Sequence, residues 1–210
     1  MDLKKAIEEA KKSKKRGFTQ TVEMKINLTG IDPKSFSINE IYELPKGINK
    51  KRTVCAVGSG DFLLNAKKCA DLTLDIKKDM DRFKSKKDRK KWAEGIDFFV
   101  VEAPAMAEFA KNFGPILAPR GKMPAPQHIL PPGSNPCPRI EKVRRSVRVV
   151  GKKSPVVHCV IGTEDMSTDD LESNAQHILE HVMNKLPKGK HNIKGVYIKL
   201  TMGKAVRASG

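Results

Sequence analysis

The chain has 210 residues, enough for one or two domains with a sizeable core. Lysine and arginine number 41 against 24 aspartates and glutamates, a formal net charge of +17. An excess of this size marks a protein that meets an anionic partner, nucleic acid above all, and no apolar run approaches the ~18 residues that span a bilayer. A membrane-surface protein would concentrate such charge on one strongly amphipathic helix. The opening Met1-Asp2-Leu3-Lys4-Lys5 lacks the apolar core of a secretory signal, so a cytoplasmic protein with no membrane partner is expected.

Leu3, Ala6, Ile7 and Ala10 recur at helical spacing and predict an amphipathic first helix. Its basic face runs into Lys11-Lys12-Ser13-Lys14-Lys15-Arg16, directly ahead of a strand. Val22, Met24, Ile26 and Leu28 alternate with polar residues, the pattern of a half-buried strand. A turn at Gly30-Ile31-Asp32-Pro33 leads to a second strand over residues 38–44, ended by Pro45-Lys46-Gly47.

From Arg52 the pattern changes. Thr53-Val54-Cys55-Ala56-Val57 is a short unbroken apolar run, as in a strand covered on both faces. Residues 61–70 read as a helix and 96–101 as another buried strand, with a charged helix or loop over 79–92 between them. A helix over 104–113 starts with proline in its first turn. Buried strands alternating with helices predict an α/β unit with a parallel sheet. In residues 114–126 four prolines fix φ and remove donors, which predicts an ordered loop with little core material. Arg120 and Lys122 should stand out from it on either side of Gly121, whose backbone is permissive.

After Pro131-Pro132-Gly133 and Pro136-Cys137-Pro138 comes a basic helix near residues 140–145. Residues 147–150 and 156–161 read as strands joined by Gly151-Lys152-Lys153-Ser154. Ser167 caps a helix with Asp169 and Asp170 at its positive end. Its buried stripe is Leu171, Ala175, Ile178, Leu179, Val182 and Leu186, and Pro187-Lys188-Gly189 stops it. A last strand over 195–200 leads to Thr201-Met202-Gly203. Ends of α+β type around an α/β middle suggest a discontinuous domain, residues 1–50 and 146–210, with a second domain, residues 51–145, inserted into it.

Few constellations suggest catalysis. Val57-Gly58-Ser59-Gly60 follows a buried strand and precedes a helix, which admits a nucleotide-binding α/β enzyme using Gly58 and Gly60. The dinucleotide fingerprint needs a third small residue where Leu63 stands, so a tight strand-to-helix turn is the plainer reading. His177 and His181 are four apart, but Ile178-Leu179-Glu180 between them is no zincin motif, and both lie off the buried stripe, facing solvent. Cys55, Cys69, Cys137 and Cys159 lack metal-ligand spacing and read as structural or incidental. No catalytic residue, metal site or cofactor is expected.

What remains is polar and basic groups at strand ends. Phe18 is either a core aromatic or a surface for a ribose or base beside cations. Thr201-Met202-Gly203 is either an ordinary turn or an RNA contact. In the second case its hydroxyl meets a 2′-hydroxyl and its glycine lets a backbone N–H approach a phosphate. A non-specific basic RNA chaperone is the third class of function this composition admits.

Gly17-Phe18-Thr19-Gln20-Thr21-Val22-Glu23 resembles the Phe-x-x-Thr-Val-Glu opening strand of the L-one family of large-ribosomal-subunit proteins. Leu117-Ala118-Pro119-Arg120-Gly121-Lys122-Met123-Pro124 is similar to that family's Leu-Gly-Pro-Arg-Gly-x-Met-Pro signature. Gly195-Val196-Tyr197, Thr201-Met202-Gly203 and Val206-Arg207 resemble its closing strand, and the likeness covers nearly the whole chain. The short N-terminus, Ala118 and the lysine-rich residues 84–91 look archaeal. The resemblance implies an α+β domain built from both chain ends with an inserted Rossmann-like α/β domain. It implies binding to the stalk region of large-subunit rRNA, help in moving or releasing exit-site tRNA, and repression of translation through the protein's own mRNA. It also implies residence on the ribosome, as a monomer when off it. Carried over by position, the RNA-contacting patch is Phe18, Thr21, Glu23, Thr201, Met202 and Gly203. Gly17 stands where the bacterial pattern often has lysine, with Arg16 one residue earlier as the available cation. Arg120, Gly121 and Lys122 form a second basic site, and Ala118 replaces the family's glycine.

Overall fold

A computed structural model of the chain describes residues 2–32, 37–79, 83, 85–152 and 154–208. Pro33, in the first expected turn, and Lys153, in the turn expected before Val156, lie outside the described residues. The chain divides into two compact units, Met1–Lys50 with Arg145–Gly210, and Lys51–Arg144. Arg145, expected in the middle portion, falls with the chain ends, where its carbonyl accepts the Leu44 N–H at 3.1 Å.

Among the described residues the first unit is a six-stranded sheet with two α-helices. Its helices are α1 (Leu3–Lys11) and α7 (Thr168–Lys185). Its strands are β1 (Thr21–Leu28), β2 (Ser37–Glu43), β7 (Ser146–Lys152), β8 (Val156–Thr163), β9 (Ile193–Leu200) and β10 (Val206–Ala208), in the order β10-β9-β1-β8-β7-β2. β1 lies inside the sheet and pairs antiparallel with both β8 and β9. Its alternation drives this placement: Val22, Met24, Ile26 and Leu28 are all buried, in one core with Leu3, Ala6, Ile7 and Ala10 of α1. Ser167 Oγ accepts the Asp170 N–H at 3.1 Å and starts α7, whose Leu171, Ala175, Ile178 and Val182 join the same core. Leu179, expected in the stripe, is only half-buried at its edge. His181 departs from its expected solvent-facing position. Its ring lies 3.9 Å from that of Tyr42, and its Nε2 is 2.9 Å from Glu40 Oε2. The histidine thus serves packing between α7 and β2.

The second unit holds a parallel sheet of order β4-β3-β5-β6. Its strands are β3 (Val54–Gly58), β4 (Leu72–Asp75), β5 (Phe98–Glu102) and β6 (Ile129–Leu130). Every residue of β3 and β5 is buried, as their unbroken apolar runs require. The helices are α2 (Gly60–Ala66), α3 (Ile76–Asp79), α4 (Lys86–Glu94), α5 (Ala103–Leu117) and α6 (Cys137–Arg144). The short β4, β6 and β10 were not legible, since two to four residues show no period.

One expectation fails here. The prolines of residues 114–126 do not keep that whole segment out of helix, because α5 continues through Pro115 to Leu117. An interior proline costs roughly 3 kcal/mol. Burying Ile116 and Leu117 in the core returns about 1.5–3 kcal/mol each. Gly114 also lacks the Cβ that a following proline ring would crowd. Core formation therefore wins over the local rule.

Two polar arrangements hold the units internally. Asn174, fully buried in α7, donates to the carbonyls of Gly47 at 2.8 Å and Ile161 at 2.9 Å and accepts the Lys46 N–H at 3.1 Å. In the second unit Cys69 and Cys137 form a disulfide, with Cα atoms 5.6 Å apart, tying the chain after α2 to the start of α6. Their separation of 68 residues left no local signal for that pairing.

Asn174→Ala orphans two buried carbonyls and should cost about 2–4 kcal/mol, read from hydrogen exchange of the α7 amides. Cys137→Ser frees a 68-residue loop in the denatured chain. It should lower the stability of the second unit by about 2–5 kcal/mol. The fluorescence of Trp92, the single tryptophan of the chain, follows that unit in urea.

Candidate nucleic-acid interface

The paired ends of β1 and β9 bring the two chain termini together. Val22 lies opposite Leu200 and Glu23 opposite Lys199. Beyond them the Thr201 N–H donates to the Thr21 carbonyl at 3.1 Å. The Thr21 N–H donates to Thr201 Oγ1, and that hydroxyl donates back to the Thr21 carbonyl, both at 3.2 Å. Gln20, buried to 1 % exposure, adds the loop after β8. Its N–H and side-chain amide donate to the two carboxylate oxygens of Glu164 at 2.9 and 3.2 Å, and its carbonyl accepts the Glu164 N–H at 2.9 Å. Its side-chain carbonyl accepts the Met202 N–H at 3.2 Å. Sequence reasoning missed Gln20 and Glu164, because a polar residue ahead of a strand carries no mark that it will be buried.

These bonds correct the chemistry expected of the Thr201-Met202-Gly203 turn. Its N–H groups do not point at a phosphate. Those of Thr201 and Met202 are committed to Thr21 and Gln20, and that of Gly203 donates to the Leu200 carbonyl at 2.9 Å. The Thr201 hydroxyl has given its proton to Thr21 and retains accepting capacity only. Gly203 matters for a different reason. A Cβ there would stand 3.0 Å from Ser13 Oγ and 3.1 Å from the Leu200 Cβ, so glycine lets the turn lie against the end of α1.

What faces outward is side chain. Phe18 is 55 % exposed and Met202 59 %, so Phe18 is not a core aromatic. Phe18 stands two residues before Gln20, which holds Met202, so both lie by the same bonded junction. Arg16 and Thr201 are exposed, and Thr21, Glu23 and Gly203 are half-buried. At Gly17 an added Cβ meets nothing within 4 Å, so sterics do not exclude a lysine there. The arrangement offers two exposed apolar side chains, hydroxyl and carboxylate acceptors, and flanking cations. It suits stacking and ribose contacts rather than an N–H phosphate cradle.

The second basic site does not form as expected. Lys122 Nζ donates to the carbonyls of Ala93, Glu94 and Ile96 at 3.1, 3.0 and 2.6 Å, where it caps the C-terminal end of α4. Arg120 pairs with Glu94 at 2.8 Å and reaches the Lys90 carbonyl at 3.4 Å. Gly121 does adopt the left-handed region, φ 65°. Ala118 imposes no restriction, since at φ −62°, ψ −47° it extends the helical path that alanine favours. These cations hold their own fold together.

The glycine turn after β3 is closed to a nucleotide. Sheet order reverses between β3 and β5, which is where such folds bind phosphates. There the buried Glu102 carboxylate accepts the Ser59 N–H at 2.9 Å and the Ser59 hydroxyl at 3.3 Å. A Cβ at Gly58 would stand 2.9 Å from Glu102 Oε2 and 2.5 Å from the Phe62 ring, so this glycine makes room for the protein's own side chains. An anion already fills the place, and a phosphate would be repelled.

A family model, that of the Ribosomal protein L1p/L10e family, matches residues 3–204. The chain belongs to this family. It is similar to the large ribosomal subunit protein uL1 of Archaeoglobus fulgidus, 41 % identical over 209 residues that cover 98 % of this chain and 96 % of the relative. The uL1 of Picrophilus torridus is 42 % identical, covering 97 % and 93 % of the two chains. That of Thermococcus kodakarensis is 38 % identical, covering 98 % and 95 %. A member of the L1 family is a ribosomal protein of the large subunit, here of archaeal type, and not an enzyme. Among the described residues no group of three or more His, Cys, Asp or Glu could hold a metal ion, and no helix is long and apolar enough to cross a membrane.

Lys122→Met removes the cap from three carbonyls and should cost the second unit about 1–3 kcal/mol, again read from Trp92 fluorescence in urea. Affinity for large-subunit rRNA should stay within twofold of the unaltered protein. Unchanged stability with weakened binding would restore Lys122 as an RNA contact.

Proposed function

We propose that the unit built from both chain ends is the RNA-binding domain of this ribosomal protein, and that the unit of residues 51–144 is the Rossmann-like domain inserted into it. The ligand is the stalk region of large-subunit rRNA. The contact surface is Arg16, Phe18, Thr21, Glu23, Thr201, Met202 and Gly203. One observation carries the reading: Phe18 and Met202 are left in water beside a junction where the N–H groups of Gln20, Thr21, Thr201, Met202 and Gly203 are already paired. Exposing two such side chains forgoes about 1.5–3 kcal/mol each, a cost that an RNA surface packed on them offsets.

Roles divide by chemistry. Phe18 and Met202 pack against riboses or bases. Thr201 and Glu23, acceptors here, take hydrogen bonds from 2′-hydroxyls or base amines. Arg16 and the lysines before it supply screened attraction to phosphates. Likeness to the family extends the proposal to help in moving or releasing exit-site tRNA, repression through the protein's own mRNA, and a monomeric state off the ribosome. The same surface would take rRNA or its mRNA mimic, one at a time.

Filter binding with a stalk-region rRNA fragment tests the reading. Binding should saturate. With six or so phosphates neutralised, a several-fold rise in salt should weaken it by roughly a thousandfold or more. Phe18→Ala should weaken it about 5- to 150-fold, the worth of one stacked ring, without altering the melting temperature. Wild-type affinity in Phe18→Ala, or equal affinity for an unrelated hairpin at matched salt, would sink the proposal.

A further inference from the structure

Most of the open face of the six-stranded sheet lies beyond the chain-end contacts, which reach it at Glu23. Alternate residues of β1, β8, β7 and β9 point away from the buried core. Lys25 and His158 are exposed there, and Arg148 and Lys199 half-buried. With Glu23, Val150, Val160 and Ala205 they line a shallow groove of about 640 Å³. Strand register makes them neighbours: Lys25 lies opposite His158 on one side and Tyr197 on the other, and Glu23 lies opposite Lys199.

Some surface cations of this unit are paired with carboxylates, as in Lys4 with Asp169, Lys46 with Asp170 and Lys185 with Glu40. Among the described residues no carboxylate forms an ion pair with Lys25, Arg148 or Lys199. Among the described residues Arg148 Nη1 has only the Asn39 side-chain oxygen, at 3.5 Å. Burial disfavours its charged form and lowers its pKa, a penalty that a bound anion would offset.

We propose that this groove is a track for RNA backbone, in which Lys25, Lys199 and Arg148 hold phosphates of a strand continuing from the chain-end surface. The inference rests on the chain-end reading. Thr21, Glu23 and Lys25 alternate down one face of β1, so contact surface and groove are continuous through Glu23. Val150, Val160 and Ala205 give the groove an aliphatic lining, and its cations outnumber the one ring in it, that of His158. Cations on such a lining hold phosphates, which carry no sequence.

The experiment is filter binding of the full chain to a large-subunit rRNA fragment across a salt series. Each phosphate contact contributes about 0.7–0.9 to the slope of log affinity against log salt. Lys25→Gln with Lys199→Gln should make the slope shallower by about 1.4–1.8, and Lys25→Gln alone by about half that. Phe18→Ala should lower affinity with the slope unchanged. If the unaltered protein fails to saturate, the chain-end reading falls and this inference with it. If the unaltered protein binds and Phe18→Ala weakens it, while the double substitution keeps affinity and slope, only the groove is overturned. Lower affinity at an unchanged slope overturns it too. So does competition by polyglutamate as effective as that by RNA, which would identify an acidic protein segment as the occupant.

Discussion

The pairing of β1 with β9 is the constraint on which the rest depends. Two strands separated by most of the chain lie side by side, and the bonds past their ends fix Thr21, Thr201 and Met202 relative to one another. Without that pairing Phe18 and Met202 would be two unrelated surface side chains. Gln20 completes it. A single buried amide satisfies donors and acceptors from two distant segments, so the turn cannot shift without leaving a polar group unpaired in the core, at a cost of about 1–3 kcal/mol. The rigidity of the surface is paid for by hydrogen bonds that never touch a ligand.

The two basic segments of this chain illustrate how charge alone misleads. Arg120 and Lys122 sit among prolines in a segment that looks built for display, yet their charges end on the carbonyls of Ala93, Glu94 and Ile96 and on the Glu94 carboxylate. Lys25 and Lys199 drew no notice in the sequence, since lysines alternating with apolar residues are the ordinary solvent face of a strand. What separates the pairs is the presence or absence of a partner among the described residues, and that is set by packing between segments distant in sequence.

Much of the fold was legible because apolar period is a local property. The stripe of α1, the alternation of β1 and the solid runs of β3 and β5 each announced their element and its burial. Shorter strands did not, nor did the cysteine bridge across 68 residues. The proline-rich segment misled because the penalty on Pro115 was visible and the burial of Ile116 and Leu117 that outweighs it was not. At the interface, motif resemblance pointed to Phe18 and to the Thr201-Met202-Gly203 turn. Turn chemistry gave the wrong reason for Gly203, whose missing side chain admits the end of α1, and neither it nor the resemblance marked Gln20 and Glu164.

The position of β1 has a consequence for how the molecule is made. Both of its neighbours, β8 and β9, come from the last third of the chain, whereas β3 to β6 and the helices around them are contiguous. During synthesis the contiguous unit has every strand it needs long before β9 leaves the exit tunnel. The nascent first strand, with both edges unsatisfied and its apolar side uncovered, must wait until β8 and β9 have been made. Such an edge invites pairing with the wrong chain. The basic segment just ahead of it, Lys11 to Arg16, gives the waiting strand a repulsive neighbour against other copies of itself.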